Sequence, residues 1–203
     1  MIGTSKGRKS AIGFRAHSGW ACAVLVAGTK PDIEVLDRRR VELCDPSIDG
    51  SKQPFHAAEP MPFDEARTFI ARCTASTAKL SGSAAEAMIA AARAQDLKPG
   101  IACVLAGSGR ALPDVKSILA SHALIHAAEG EFYRDALVAA CGAAGLNVVR
   151  LKEKDATVWA ASRLGLSESA LSARIVALGA PLGPPWGQDQ KLATMGAWLA
   201  LAG

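Results

Sequence analysis

His122, His126 and Glu129 follow one another at intervals of four and three, the spacing that stacks side chains on one face of a helix. Two neutral imidazoles and a carboxylate are ligands that Zn²⁺ accepts, and an open fourth position would permit hydrolysis. Gly130 predicts a break in that helix, and no His-Glu-x-x-His pattern accompanies the group. A hydrogen-bonded histidine pair is therefore expected, and no metal is assigned. A second group lies near the start of the chain. Arg15, His17 and Ser18 end one apolar run, and Ser108, Gly109 and Arg110 follow another. A guanidinium that takes two oxygens at once, lined by Gly and Ser, suits an anion such as phosphate. The alternative for Arg15 and His17 is that they satisfy local carboxylates, with Asp189 the obvious partner. His56, in Gln53-Pro54-Phe55-His56, sits in a segment able to close over a site or, anchored by Phe55, to stay put.

The elements that must position these residues follow from periodicity. Ala11 to His17, Trp20 to Val26 and Ile33 to Leu43 are short apolar or alternating runs separated by Ser18-Gly19 and by Gly28 to Asp32, which predicts a meander of three antiparallel strands. Asp45 to Pro62 carries Pro46, Pro54, Pro60 and Pro62 and no period, and reads as an irregular surface connection. From Asp64, Ala66, Ile70, Cys73, Thr77, Leu80, Ala84 and Met88 recur at three or four, a long helix that Gly82 divides. Ile101 to Ala106 and Asn147 to Leu151 read as buried strands. Pro113-Asp114 opens a helix to His126, and Phe132 to Ala144 forms another. Three more helices span Ala156 to Leu164, Ser167 to Leu178 and Gln188 to Leu201. Helical crossovers between the last strands imply parallel pairing there.

The 203 residues are 50% hydrophobic and 21% charged, with mean hydropathy +0.17, which describes one folded domain over 1–203 and excludes disorder. Aromatics are 5%, so the core should be Ala-rich helices packed closely on a Val/Ile/Leu sheet. No apolar run approaches the ~20 residues of a membrane span. Five widely spaced cysteines and the absence of an apolar leader point to a reducing cytoplasm. Net charge +4 and pI 8.9, with Lys6 to Lys9 and Arg38-Arg39-Arg40 as clusters, are compatible with a phosphate backbone. Trp20, Trp159 and Trp198 lie in apolar patterns that suggest core, which leaves Trp186 free to stack on a base.

Three leading strands followed by alternating helices and strands resemble the ribonuclease H-like fold. The second half, Ser121 to Gly130 through Ala144 to Leu151, is similar to its Holliday-junction resolvase branch. So is Trp186-Gly187-Gln188-Asp189, which opens the helix carrying that family's last acid. The resemblance implies an α/β fold with a five-stranded mixed sheet, three strands antiparallel and two parallel, flanked by helices. It implies that the ends of the first and fourth strands adjoin at the sheet centre, and that the family's chemistry is two-metal phosphodiester cleavage on Mg²⁺. Against that pattern, Gly13-Phe14-Arg15 puts a cation where the first carboxylate belongs, and Val104-Leu105-Ala106 has no acid where the second belongs. Asp189 alone fits.

Three functions follow as expectations. The first is a domain with a degenerate metal site that binds nucleic acid or another phosphate-bearing ligand through Arg15, Ser18, Ser108 and Arg110. The second is a metal-dependent nuclease or hydrolase using Asp189 and Glu129, with His17 or His126 as base or ligand and Mg²⁺ as cofactor. The third is a non-catalytic assembly protein, a homodimer formed through its Ala-rich helices.

Overall fold

A computed structural model describes residues 8–30, 32–107 and 111–203. Lys6, Ser108, Gly109 and Arg110 lie outside the described residues, and with them two of the expected anion ligands. The chain runs β1 (Lys9–His17), β2 (Trp20–Gly28), β3 (Ile33–Glu42), α1 (Pro54–Ala58), α2 (Phe63–Arg93), β4 (Pro99–Ala106), α3 (Val115–Leu119), α4 (His122–Ala143), β5 (Asn147–Lys152), α5 (Ala156–Leu164), α6 (Glu168–Gly179) and α7 (Gln188–Leu201). Short 3₁₀ turns at Glu153–Asp155 and Ala180–Leu182 lead into α5 and out of α6.

The sheet order is β3-β2-β1-β4-β5. β1, β2 and β3 form the expected antiparallel meander, and β4 lies parallel to both β1 and β5. Because strand side chains alternate between faces, β1 feeds two cores. Ile12, Phe14 and Ala16 pack with Met88 of α2 and Tyr133 and Leu137 of α4. Ala11, on the other face, packs with Leu171 of α6 and Ala193, Ala197 and Trp198 of α7. The high alanine content has its use here. Small side chains on α7 let it lie against β1, β2 and β4, and at Gly196 a Cβ would come within 2.9 Å of the Cys103 sulfur.

Four local expectations are corrected. Gly82 does not divide α2, which is continuous over 31 residues. Its buried row, including Ser81, Ala84, Ala85 and Met88, outweighs the ~1 kcal/mol that an interior glycine costs a helix. Gly130 likewise lies inside the unbroken α4. A side chain there would meet the Arg134 guanidinium at 3.2 Å, and Arg134 itself donates to the Gly130 carbonyl. The helix opened by Asp114 stops at Leu119, capped by the Asp114 carboxylate accepting from the Ser117 amide, and α4 starts afresh at His122. The proline-rich connection contains α1, whose Phe55 is buried edge-on against Phe132.

Candidate functional site

The centre of the sheet is shaped by one close approach. At Gly13 any Cβ would collide with the Ala193 carbonyl, so β1 and α7 touch backbone to backbone. Two residues along a strand advance ~6.6 Å and one turn of helix ~5.4–6 Å. The next side chain on that face of β1, Arg15, therefore meets Asp189, four residues back along α7.

The Arg15 guanidinium is held on two sides. Its Nη1 donates to Asp189 Oδ1. Its Nε and Nη2 donate to Glu153 Oε2 and Oε1 at 3.1 and 2.7 Å, a bidentate pair. Glu153 is the first residue after β5, on the 3₁₀ turn. The Arg15 side chain is 14% exposed. Hydrogen bonding to Glu153, partly offset by burial and aided by Asp189, raises its pKa further. His17, next on the same face, has Nε2 2.7 Å from Asp189 Oδ1 and 3.1 Å from Arg15 Nη1. Burial pushes the Asp189 carboxyl up, but hydrogen bonds and charge from His17 and Arg15 hold it below the usual aspartate range. The His17 ring stacks on Trp20, centroids 4.4 Å apart and 14° from coplanar, and the Arg40 guanidinium lies 3.9 Å over the Trp20 ring.

Beside this group opens a cleft of about 850 Å³ whose lining includes Arg15, His17, Gly107, Arg134, Glu153 and Lys154. A smaller cavity of about 220 Å³ adjoins it and is lined by His17, Ser18, Glu129, Tyr133 and Arg134. Glu129 is buried, and its Oε1 accepts from the Phe55 and His56 amides at 2.7 and 3.0 Å and lies 3.3 Å from His56 Nδ1. Burial raises its pKa against those bonds. Its hydrogen bonds thus run to α1, and among the described residues none runs to Asp189.

The structure therefore brings Arg15, His17 and Asp189 together and adds Glu153, which the sequence reading missed. It turns Arg15 toward carboxylates, so a phosphate would have to compete with Glu153 and Asp189 for its donors. Ser18 reaches the small cavity, on the side of Glu129. His122 and His126 do stack on α4, but their third neighbour is His56 rather than Glu129.

The surface features also shift. Arg38 donates to the carbonyls of Leu182, Gly183, Pro184 and Pro185; Arg39 pairs with Asp37 and Arg40 with Glu42. This cluster is occupied within the chain. Trp159 is 65% exposed rather than core. Trp186 is not free, since its indole N–H donates to the Ile175 carbonyl and its ring packs on Gly179. Among the described residues no helix is long and apolar enough to cross a membrane.

Five strands in this order, helices on both faces and a polar centre where β1, β5 and α7 converge define a ribonuclease H-like fold. Among solved structures the chain is similar to T. thermophilus RuvC in complex with Holliday junction substrate, with 10% identity, a TM-score of 0.54, and 94% of this chain and 91% of that one covered. It is also similar to a Thermus thermophilus RuvC structure at 9% identity and TM-score 0.51 over the same shares. No protein-family model and no curated protein matches the sequence. At such identities the likeness establishes the fold.

Proposed function

We propose that this chain is a ribonuclease H-like domain that binds nucleic acid without cutting it. The observation that carries the proposal is the Arg15 guanidinium between the carboxylates of Glu153 and Asp189. Two-metal cleavage needs several carboxylate oxygens around a pair of Mg²⁺ ions. The residues present do not fit such a pair. Both acids already share the Arg15 guanidinium, which at this range repels a divalent ion, and residues 102–107 of β4 and its exit carry no acid.

Binding is supported by exposed cations further out. Lys152 and Lys154 alternate along the end of the edge strand β5 and its continuation, both exposed, while Arg150 before them is paired with Glu131 and Asp135 at 2.7 and 2.6 Å. Lys152 lines, together with the paired Arg150, Glu131 and Asp135, a cavity of about 600 Å³ that shares Ala106 with the central cleft, where Lys154 lies. With the chain's net charge of +4, this row offers a track for phosphates. The similar RuvC structure was determined with a Holliday junction substrate, so a four-way DNA junction is the first ligand to offer.

The test is fluorescence anisotropy of a labelled junction and a labelled duplex at two salt concentrations, with Mg²⁺ present and the products run on a gel. Binding that weakens steeply with salt, is reduced by Lys152→Ala with Lys154→Ala, and leaves the DNA intact is the expected result. No binding at low salt would leave the cationic row as protection of a sheet edge. Cleavage abolished by Asp189→Asn would overturn the non-cutting half of the proposal.

A further inference from the structure

We infer that His56, His122 and His126 form a binding site for one divalent transition-metal ion of the zinc type. The site lies at the junction of α1 and α4 and is independent of the Arg15 centre. One ligand nitrogen from each ring can be chosen so that all three lie within 4.8 Å of one another. His122 Nε2 and His126 Nε2 face each other at 3.1 Å. Two imidazole nitrogens bound to one tetrahedral Zn²⁺ at 2.0–2.1 Å stand ~3.3 Å apart, so this edge of the tetrahedron is nearly formed. The His56 ring centroid is 5.5 Å from that of His122 and 4.8 Å from that of His126, tilted 87° and 65°. Rings fanned about a common point have this arrangement, whereas stacked rings would not.

The surroundings select the correct nitrogens. Glu129 Oε1 lies 3.3 Å from His56 Nδ1, which places the proton on Nδ1 and leaves the Nε2 lone pair outward. Glu59 Oε1 stands 3.8 Å from His122 Nδ1 and favours the same tautomer there. Carboxylates behind the imidazoles are the usual second layer of a histidine metal site, where they fix ring orientation and raise basicity. They also counter part of the ion's charge. With Nδ1 protonated on His122, its Nε2 offers a lone pair toward His126 Nε2, which lies 3.1 Å away. The pair is closed either by the His126 Nε2–H donating to that lone pair or by a metal ion that takes both nitrogens.

The scaffold is rigid where it matters. His56 is not on a loose loop, because the buried Glu129 carboxylate accepts from its amide and from that of Phe55, and Phe55 is itself buried. His122 and His126 are one helical turn apart on α4. Both are exposed and His56 is half-buried, so an ion has a path in and three protein ligands leave a corner open to water. Imidazoles select Zn²⁺, Ni²⁺ or Co²⁺ over Mg²⁺ or Ca²⁺, which take oxygen. Sequence spacing shows only the α4 pair; the third ligand arrives from 66 residues upstream.

The experiment is a titration of the full-length, metal-stripped chain with Co²⁺, followed by visible absorption, and with Zn²⁺, followed by calorimetry. One ion per chain, a four-coordinate Co²⁺ spectrum that Zn²⁺ displaces, and affinity at least tenfold weaker in His122→Asn and in His126→Asn are expected. Glu59→Gln, which touches no metal, should weaken binding by about tenfold. The substituted histidines are exposed, so melting of the metal-stripped variants checks that the fold is unchanged. No binding, or binding that neither histidine substitution weakens, would reduce the cluster to a hydrogen-bonded histidine pair and overturn the inference.

Discussion

Gly13 and Ala193 touch backbone to backbone, and two residues further along β1 the Arg15 guanidinium reaches the Asp189 carboxylate, one turn back along α7. Strand and helix keep step because their rises match over that distance. Gly13→Ala must push α7 off the sheet, at a cost of about 1–3 kcal/mol typical of overpacking. Urea unfolding measures it. Since the same shift separates Arg15 from Asp189, Asp189→Asn should cost less in the Gly13→Ala background than alone. Additive effects in that double-mutant cycle would show that the contact does not govern the pair.

Arg15→Asp would replace the internal cation with a third carboxylate next to Glu153 and Asp189. Like charges should lower stability in the absence of divalent ions, and millimolar Mg²⁺ should restore it. The melting temperature of the natural chain should be indifferent to Mg²⁺. A natural chain that Mg²⁺ stabilises as much as the variant would contradict the account of Arg15 given above.

The two acids of the region titrate in opposite senses. The pKa of Asp189 is depressed on balance, so its contribution to stability is complete above the unfolded-state value and disappears as pH falls through the folded-state one. The pKa of Glu129 is raised by burial. Its contribution is complete below the unfolded-state value and is lost as pH rises through the raised one. Urea midpoints against pH should therefore have a flatter acid limb in Asp189→Asn, and a smaller loss between the acid and neutral ranges in Glu129→Gln. Unchanged slopes would rule out these assignments.

Tyr133 is buried, and its hydroxyl donates to the Ser51 carbonyl at 2.6 Å. Tyr133→Phe removes the donor and leaves that carbonyl without this partner, which should cost about 1–3 kcal/mol. Equilibrium unfolding at neutral pH reads it. A neutral substitution would mean that water replaces the hydroxyl.

What the sequence discloses depends on how far apart the cooperating residues lie. Short apolar runs bounded by turn residues are local signals, and β1 to β5 are all legible from them; the single inward face expected of Ile33, Val35 and Val41 is not, because a register shift in the β2–β3 pairing sends Ile33 and Val35 to the α7 side and Val41 to the α2 side. Also legible are α5 and α7, and the Ser167 cap of α6, whose hydroxyl accepts from the Ala170 amide. The Arg15–Asp189 pair is foreseeable only through the resemblance, which places both residues at the centre that the family's acids share. Glu153 is not, because Lys152-Glu153-Lys154-Asp155 reads as a solvated charge run; its signal is its place one residue past a strand ending beside β1's neighbour. His56 is invisible as a partner of His122 because tertiary packing of Phe55, and no periodicity, brings α1 to α4. Gly82 and Gly130 mislead for a related reason, since burial along α2 and α4 exceeds the helix propensity they lack.

The positive charge at the centre of the sheet is a side chain, fixed to β1 by covalent bonds. It cannot dissociate, so chelators and swings in magnesium supply leave that centre as it is. Evolution alone, by substitution, can take it away.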